Sequence, residues 1–476
     1  MDYKSELQKY HIFSIVSQAA SSLGYESYVI GGFVRDLLLK RPTKDIDIVC
    51  LGSGIDLAQK TAELISVSTS KECKVSYFKN FGTAMLHFED LEIEFVGARK
   101  ESYQRSSRKP IVEDGTLEDD QNRRDFTINA MAISLKKEDF GALVDPFEGT
   151  KDIRRKIIKT PLNPEITFSD DPLRIMRGIR FASQLTFDIE PDTYDAIVKN
   201  KSRLEIVSQE RIVDELNKII MSPTPSYGLK LLFQAEILHM ILPEMVALHG
   251  VEIIDKKGHK DNFYHTLQVL DNVAKVSDDL WLRWAAILHD IAKPVTKRFD
   301  KKIGWTFHGH EDKGARMVSQ IFRRLKLPLN EKMKFVEKLV KLHLRPIALV
   351  KEDITDSAIR RLLFEAGNDI EALMKLCRAD ITSKNDAKVN KYLQNFDAVE
   401  QKMVEVEEND QLRNFQPALS GEDIMKIFNL KPSKTVGEMK DALKEAILEG
   451  HIHNNYDDSY NFLIKKAKEL GLEVNG

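Results

Sequence analysis

Tyr28-Val29-Ile30-Gly31-Gly32-Phe33-Val34-Arg35-Asp36, followed shortly by Lys44-Asp45-Ile46-Asp47-Ile48-Val49, decides how this chain is read. The apolar run Tyr28, Val29, Ile30 suits a buried strand, and residues 33–40 have the spacing of the helix it feeds. Two glycines at the junction let backbone N–H groups approach an anion, and a helix N-terminus favours negative charge there. The second stretch alternates. Side chains two apart share a strand face, so Asp45 and Asp47 point together while Ile46 and Ile48 enter a core. Two carboxylates side by side near a phosphate cradle are what a pair of Mg²⁺ ions needs to bridge a nucleoside triphosphate and an attacking hydroxyl. Taken singly, Gly-Gly is a turn and Asp-x-Asp a solvated strand edge. In this order they speak of nucleotidyl transfer.

The remaining sequence frames that reading. The 476 residues suffice for two to four domains. Charged residues make up 30% and hydrophobic ones 42%, as in ordinary globular proteins. With a net charge of −3, RNA binding has to rest on local basic patches. Cys50, Cys73 and Cys377 lie too far apart for a disulfide framework or a zinc cluster and suit a reducing cytosol. Asp2 and Glu6 interrupt the N-terminus, which does not read as a signal peptide, and no run approaches bilayer length. A cytoplasmic protein without a membrane partner is expected. Up to about residue 159, short β-branched runs (73–78, 83–88, 91–96, 130–135) alternate with helical patterns, which makes an α/β head. Residues 103–122 are polar and read as a mobile loop. From Pro164 almost to the end, apolar residues recur at helical spacing.

The glycines and the Asp pair, in this order, resemble the signature of the polymerase-β-like nucleotidyltransferases, which carry both on adjacent elements of one small sheet. The resemblance sharpens at Arg123-Arg124-Asp125-Phe126-Thr127-Ile128-Asn129-Ala130. With the earlier motifs, this is similar to the class II tRNA nucleotidyltransferases (CCA-adding enzymes) and the related bacterial poly(A) polymerases. Arginine suits bidentate phosphate binding, and Asp or Asn can bond ribose hydroxyls. The resemblance implies that Arg124, Asp125 and Asn129 hold the incoming nucleotide, alongside Gly31, Gly32 and Arg35. The segment also reads as a charged turn ahead of a strand over 126–135. Asp145-Pro146-Phe147-Glu148-Gly149-Thr150-Lys151-Asp152 matches the family's hinge motif between head and neck. Glu92 and Glu94 share a face of the strand over 91–96, and Glu94 before Arg99 fits the family's third acidic position. Glu94 is therefore a supporting carboxylate, although both glutamates also suit a solvated edge strand.

Ser169-Asp170-Asp171-Pro172-Leu173-Arg174-Ile175-Met176-Arg177-Gly178-Ile179-Arg180-Phe181 reads as a helix with a Ser/Asp cap and Pro172 in its first turn. Arg174, Arg177 and Arg180 share a face, as in any basic solvated stripe. Here the stretch matches the family's Glu-Asp-x-x-Arg motif, with Asp170 in place of the usual Glu. Cytosine and adenine each offer an amino donor beside a ring-nitrogen acceptor, whereas uracil and guanine present the opposite order. An Asp171 acceptor next to an Arg174 donor would accept C and A, and the wrong base would leave buried groups unpaired. Glu210-Arg211-Ile212-Val213-Asp214-Glu215 resembles the next neck motif, where Arg211 would orient these groups.

A second chemical centre follows. His265, His289-Asp290 and Asp380 occur in the order of the HD phosphohydrolase superfamily, whose members bind a divalent metal through such residues. Imidazole and carboxylate ligands suit the transition metals Mn²⁺, Fe²⁺, Ni²⁺ or Zn²⁺, and a metal-bound water can attack a phosphate ester. His310 and His343 could extend the set to a second metal. Residues 323–345 are basic and amphipathic, mostly core packing with a solvated face. The tail resembles the helical C-terminus of HD-containing members, with a small phosphate-friendly turn over 433–437.

The expected fold class is α+β. A polymerase-β-like head (1–160) is followed by an all-α neck (161–240), an HD domain (241–395) and a helical RNA-binding tail (396–476). The expected function is template-independent addition of CMP and AMP, from CTP and ATP, to the tRNA 3′ end, with Mg²⁺ on Asp45 and Asp47. A poly(A) polymerase shares the head, but the family's Arg-rich signature is missing at Asn80-Phe81-Gly82-Thr83-Ala84. Partial CC- or A-addition stays open, although a full-length loop before Arg123 speaks against CC alone. A metal phosphohydrolase with a merely nucleotide-binding head is opposed by the intact Asp pair.

Overall fold

In the computed structural model, which describes residues 2–78, 82–102, 111–349, 355–382, 385–410 and 416–472, the two diagnostic stretches become neighbouring strands. The strands of the head are β1 (Ser27–Ile30), β2 (Asp45–Cys50), β3 (Val75–Phe78), β4 (Thr83–Phe88), β5 (Leu91–Gly97), β6 (Arg99–Ser102), β7 (Ile111–Asp114), β8 (Ala132–Ser134) and β9 (Leu143–Val144). Seven of them form one sheet in the order β3-β4-β5-β2-β1-β8-β9. β2 and β5 run parallel, with Asp45 beside Glu92 and Asp47 beside Glu94. The pleat sends Ile46, Ile48, Ile93 and Phe95 into a core shared with Phe13 and Val16 of the helix His11–Leu23 and Leu57 and Ile65 of the helix Gly54–Thr69. The four carboxylates face away from that core.

Several local expectations are corrected. Of the stretch expected to be a mobile loop (103–122), residues 103–110 lie outside the described residues. Beyond them, β7 pairs antiparallel with β6, and Leu117–Asn122 is a helix with a capping box between Thr116 and Asp119. The strand expected over 126–135 is only β8, because Thr127–Asn129 forms a 3₁₀ turn. There Asn129 donates to the Asp125 carboxylate at 3.0 Å, a local side-chain bond that competes with a ladder. The single helix expected to open at Ser169 is two. Pro164–Asp170 ends at Asp171, whose extended backbone suits the residue before Pro172, and Leu173–Leu185 begins beyond it. The cap is thus Asp171, which accepts from the Leu173 N–H at 3.1 Å, and not Ser169 or Asp170.

The described chain divides into two compact units, Met1–Ile241 and Leu242–Gly476. In the first, Gln209–Ile220 and Pro225–Gln234 pack on Leu173–Leu185. The second is helical but carries two small hairpins, Ile253–Ile254 with Lys257–Gly258 and Arg298–Asp300 with Gly304–Thr306, which helical spacing did not foretell. In the basic run over 323–345, Val336, Leu339, Val340 and Leu342 of the helix Glu331–Leu342 are buried. Ser433 occupies the N-cap position of the helix Lys434–Leu448 without a side-chain cap hydrogen bond. Among the described residues, no helix is long and apolar enough to cross a membrane.

Candidate active site and metal centre

The first unit holds a cleft of about 660 Å³ whose walls come from β2, β5, the turn over Arg123–Asn129 and the helix Leu173–Leu185. Apart from Gly31, every residue singled out in the head and neck lines it: Gly32, Arg35, Asp45, Asp47, Glu94, Arg124, Asp125, Asn129, Asp171, Arg174, Arg177, Arg180 and Arg211. Gly31 caps the helix Gly32–Leu38 at φ +84°, in the region that favours glycine. A Cβ there would also lie 2.7 Å from Arg124 Nη1 and 3.2 Å from Asp47 Oδ2. Glycine is needed both for its conformation and for the space it leaves.

Burial pushes the Asp47 carboxyl up; Arg124 opposes this, while Asp45 and Asp120 add to it. Glu94 is raised as well, by burial and by Asp47, against a hydrogen bond from Thr83. Carboxylates that raise one another on a shared sheet face form an all-oxygen donor set that fits a hard divalent ion. Opposite them, several arginines are braced. Arg35 donates to Asp36 at 2.8 and 3.0 Å and to Asn129 at 2.8 Å. Arg177 holds Asp125 at 2.6 Å, and Arg174 donates to the carbonyl of Arg123 at 2.7 Å. Burial works against ionising Asp125, but Arg177, Asn129 and Arg174 outweigh it and lower its carboxyl to about 2. Arg211 stands exposed in the first turn of Gln209–Ile220.

Arg180 does not belong to a solvated stripe. It is buried, meets Glu215 at 2.8 Å and lies 4.2 Å from the ring centroid of Phe181, which Arg35 and Arg177 also face at 5.0 and 5.4 Å. Glu215, Phe181 and two further buried acids, Asp120 and Glu101, were given no role in the sequence reading. The signal for Asp120 was its spacing of three and four residues from Arg123 and Arg124.

In the second unit five helices bring six chosen residues together. His265 lies in Asn262–Ala274, His289 and Asp290 follow Leu280–Leu288, His310 opens His310–Arg324, His343 ends Glu331–Leu342, and Asp380 ends Ile370–Asp380. Asp290 Oδ2 is 3.2 Å from His289 Nε2 and 3.6 Å from His265 Nε2. Its other oxygen is 3.2 Å from His310 Nε2 and 3.9 Å from His343 Nε2. Asp380 lies 2.8 Å from His265 and 3.6 Å from His289. His289, His310 and His343 each give their Nδ1 proton to the carbonyl three residues back, at 2.7, 2.8 and 2.7 Å. A carbonyl only accepts, so Nδ1 carries the proton and each Nε2 presents a lone pair when the ring is neutral. All three Nε2 atoms are buried and without a hydrogen-bond partner. Two groups, His265–His289–Asp290 and Asp290–His310–His343, have ligand atoms close enough to hold an ion each, with Asp290 shared. Nitrogen-rich, orphaned and carboxylate-bridged, the donor set fits a divalent metal. Lys293 and Lys260, unforeseen, cover its edge: Lys293 donates to Asp290 at 2.6 Å, and Lys260 lies 2.8 Å from His265 Nδ1.

Comparison with known proteins extends over both units. Residues 27–159 match the family described as the poly A polymerase head domain, 186–248 the probable RNA and SrmB-binding site of polymerase A, and 262–382 the HD domain. The chain is 33% identical over 349 residues to the A-adding tRNA nucleotidyltransferase of Deinococcus radiodurans, across 71% of this chain and 76% of the relative. It is 33% identical over 313 residues to the multifunctional CCA protein of Shewanella frigidimarina, across 63% of this chain and 70% of that one. A solved CCA-adding enzyme in complex with CTP superposes with a TM-score of 0.64 at 21% identity, covering 100% of this chain and 99% of that one, a likeness of fold.

Proposed function

The chain belongs to the tRNA nucleotidyltransferase family, and on that premise we propose that it builds and repairs CCA at the tRNA 3′ end from CTP and ATP, without a template. One observation carries the reading: a single cleft is lined both by the carboxylate strands and by the Asp171–Arg174 pair. Asp45 and Asp47 would hold Mg²⁺, with Glu94 in support; the chemistry such ions would supply is a more acidic RNA 3′-hydroxyl and charge stabilisation at the departing pyrophosphate. The 3′-oxygen bonds to the α-phosphorus as the bond to the β-phosphate breaks. Gly31, Gly32, Arg35, Arg124 and Arg177 bind the triphosphate, and Asp125 and Asn129 the ribose. Asp171 accepts the amino proton of C or A while Arg174 donates to the ring nitrogen, and Arg211 orients the pair. Arg180 supports this wall from beneath Phe181.

The Deinococcus relative is named for A-addition, so addition of A alone is the second reading. Purified protein, tRNA transcripts ending before CCA, at CC or at CCA, and each labelled nucleotide alone or together decide between them. No incorporation of CMP into the transcript lacking CCA would leave A-addition. In the second unit, His265, His289, Asp290 and Asp380 would hold a transition metal, and His310 and His343 with Asp290 a second; such ions would supply an activated water for phosphate esters. The same proposal includes a head (1–160), neck (161–240), HD segment (241–395) and RNA-binding tail (396–476), and a cytoplasmic site of action.

A further inference from the structure

The helix Leu117–Asn122 is pinned by Gln121, whose amide donates to the carbonyls of Ala130 at 2.7 Å and Val144 at 3.2 Å. It carries Asp120 inward to complete burial. One Asp120 oxygen accepts from Arg123, through Nη2 and through Nε at 3.0 Å; the other accepts from Arg124 Nε at 3.1 Å. Arg123 has a further anion in Glu101, 3.3 Å away. Arg124 instead faces the carboxylate strands. Its Nη1 and Asp47 Oδ2 lie 2.7 and 3.2 Å from one point, the place a Gly31 Cβ would occupy. Arg124 therefore stands between two carboxylates, one buried and braced, the other on the strand that faces the cleft. A guanidinium free to settle on Asp47 would neutralise it and fill the space of a divalent ion.

We propose that Asp120 is a positioning residue that holds Arg124 off Asp47, so that the carboxylate pair stays open to a divalent cation and Arg124 stays turned toward the triphosphate. This rests on the reading of Asp45 and Asp47 as metal ligands. The geometry explains why a carboxylate is kept fully buried here: it brings no atom to the cleft, yet it decides which of two anions the nearest cation serves. The other oxygen of the same carboxylate fixes Arg123, so both neighbouring arginines are held by one side chain.

The test is Mn²⁺ binding to the full chain, followed by the EPR signal of free Mn²⁺. Head-specific binding is the part that Asp45→Asn/Asp47→Asn abolishes, which sets the second unit aside. In Asp120→Asn that affinity should fall about tenfold, and the Mg²⁺ concentration for half-maximal addition should rise in step. Asp120→Glu should recover most of it. The double variant Asp120→Asn/Arg124→Gln should return to wild-type Mn²⁺ affinity although its KM for nucleotide stays high, a recovery that a merely damaged fold would not give. Should Asp120→Asn fail to fold, Arg124→Gln alone decides, with a rise of about threefold expected. An unchanged affinity in Asp120→Asn, a double variant as weak as the single, or no rise in Arg124→Gln overturns the assignment. Absence of head-specific Mn²⁺ in the wild type overturns the reading of Asp45 and Asp47 along with it.

Discussion

Asp171 has two duties, and Asp171→Asn separates them. Its carboxylate accepts the Leu173 N–H at 3.1 Å, so it caps the helix that carries Arg174, Arg177 and Arg180. It also lines the cleft, where the proposed function makes it the acceptor half of the base-reading pair. Asparagine can still cap, so stability should change by less than about 0.5 kcal/mol, whereas alanine forfeits the cap at about 1 kcal/mol. At the base, replacing a charged acceptor by a neutral one costs about 1–1.5 kcal/mol, a loss of about tenfold in kcat/KM for CTP and ATP. Alanine removes the acceptor and should cost about a hundredfold. An amide can also turn its NH₂ outward and donate to a carbonyl, so Asp171→Asn should raise UTP and GTP use relative to CTP and ATP. Arg174, tied to the Arg123 carbonyl at 2.7 Å, keeps its place in both variants. The assay is single-nucleotide incorporation into transcripts ending before CCA and at CC, with a urea unfolding curve for each variant. Equal losses for all four nucleotides, with selectivity unchanged, would refute the base-reading role and leave only the cap.

Asp45→Ala or Asp47→Ala should abolish incorporation of either nucleotide while tRNA binding, measured by filter retention, stays within about twofold; near-normal kcat in both variants would exclude them as the metal pair. Asp125 gives a pH signature. Its carboxyl is lowered to about 2 in the fold from an ordinary 3.8, so ionisation contributes about 2 kcal/mol, fully present above the ordinary value and lost as pH falls through about 2. The stability gap between wild type and Asp125→Asn should therefore narrow by about 1 kcal/mol between pH 5.5 and pH 3, and a constant gap would contradict the lowered carboxyl. His289→Ala with Asp290→Ala should empty the second unit of transition metal, read by elemental analysis, and remove any metal-dependent phosphatase activity. CCA addition in Mg²⁺ should stay nearly unchanged; its loss in a folded double variant would mean the two centres are coupled.

What could be read in the sequence is what depends on local period. Asp45, Asp47 and Glu94 were legible because strand alternation fixes a face, and the parallel pairing of β2 with β5 then sets Asp47 beside Glu94. The histidines were legible as an ordered set. Their Nδ1 anchors, though local, needed helix ends at His289, His310 and His343 that residue order alone does not locate. Asp120 was hidden in a polar run with no apolar period, although its helix is held by a capping box and by Gln121. The burial of Arg180 was not legible because its partner, Glu215, is distant in the chain and only packing on Gln209–Ile220 buries the pair. Which of the cap-like residues over 169–171 marks the helix start was not legible, because the break before Pro172 is a backbone effect that such a run masks.

The cleft's arginines are numerous, but few of their charges are idle. Asp120 takes Arg123 and Arg124, Asp125 takes Arg177, Asp36 takes Arg35 and Glu215 takes Arg180. Braced this way, each guanidinium keeps its orientation without collapsing on the carboxylate strands, which an unbalanced cluster would neutralise. One short segment connects the two ends of the cleft. Arg124 reaches toward Asp47, the carbonyl of Arg123 holds Arg174, and Asp125 holds Arg177. Under the proposed roles of Asp171 and Arg174, a wrongly paired base is expected to disturb the Arg123 carbonyl that holds Arg174. Selection at the base and alignment at the α-phosphorus then depend on the same few bonds. In the proposed template-free reaction these side chains take the place of a template strand.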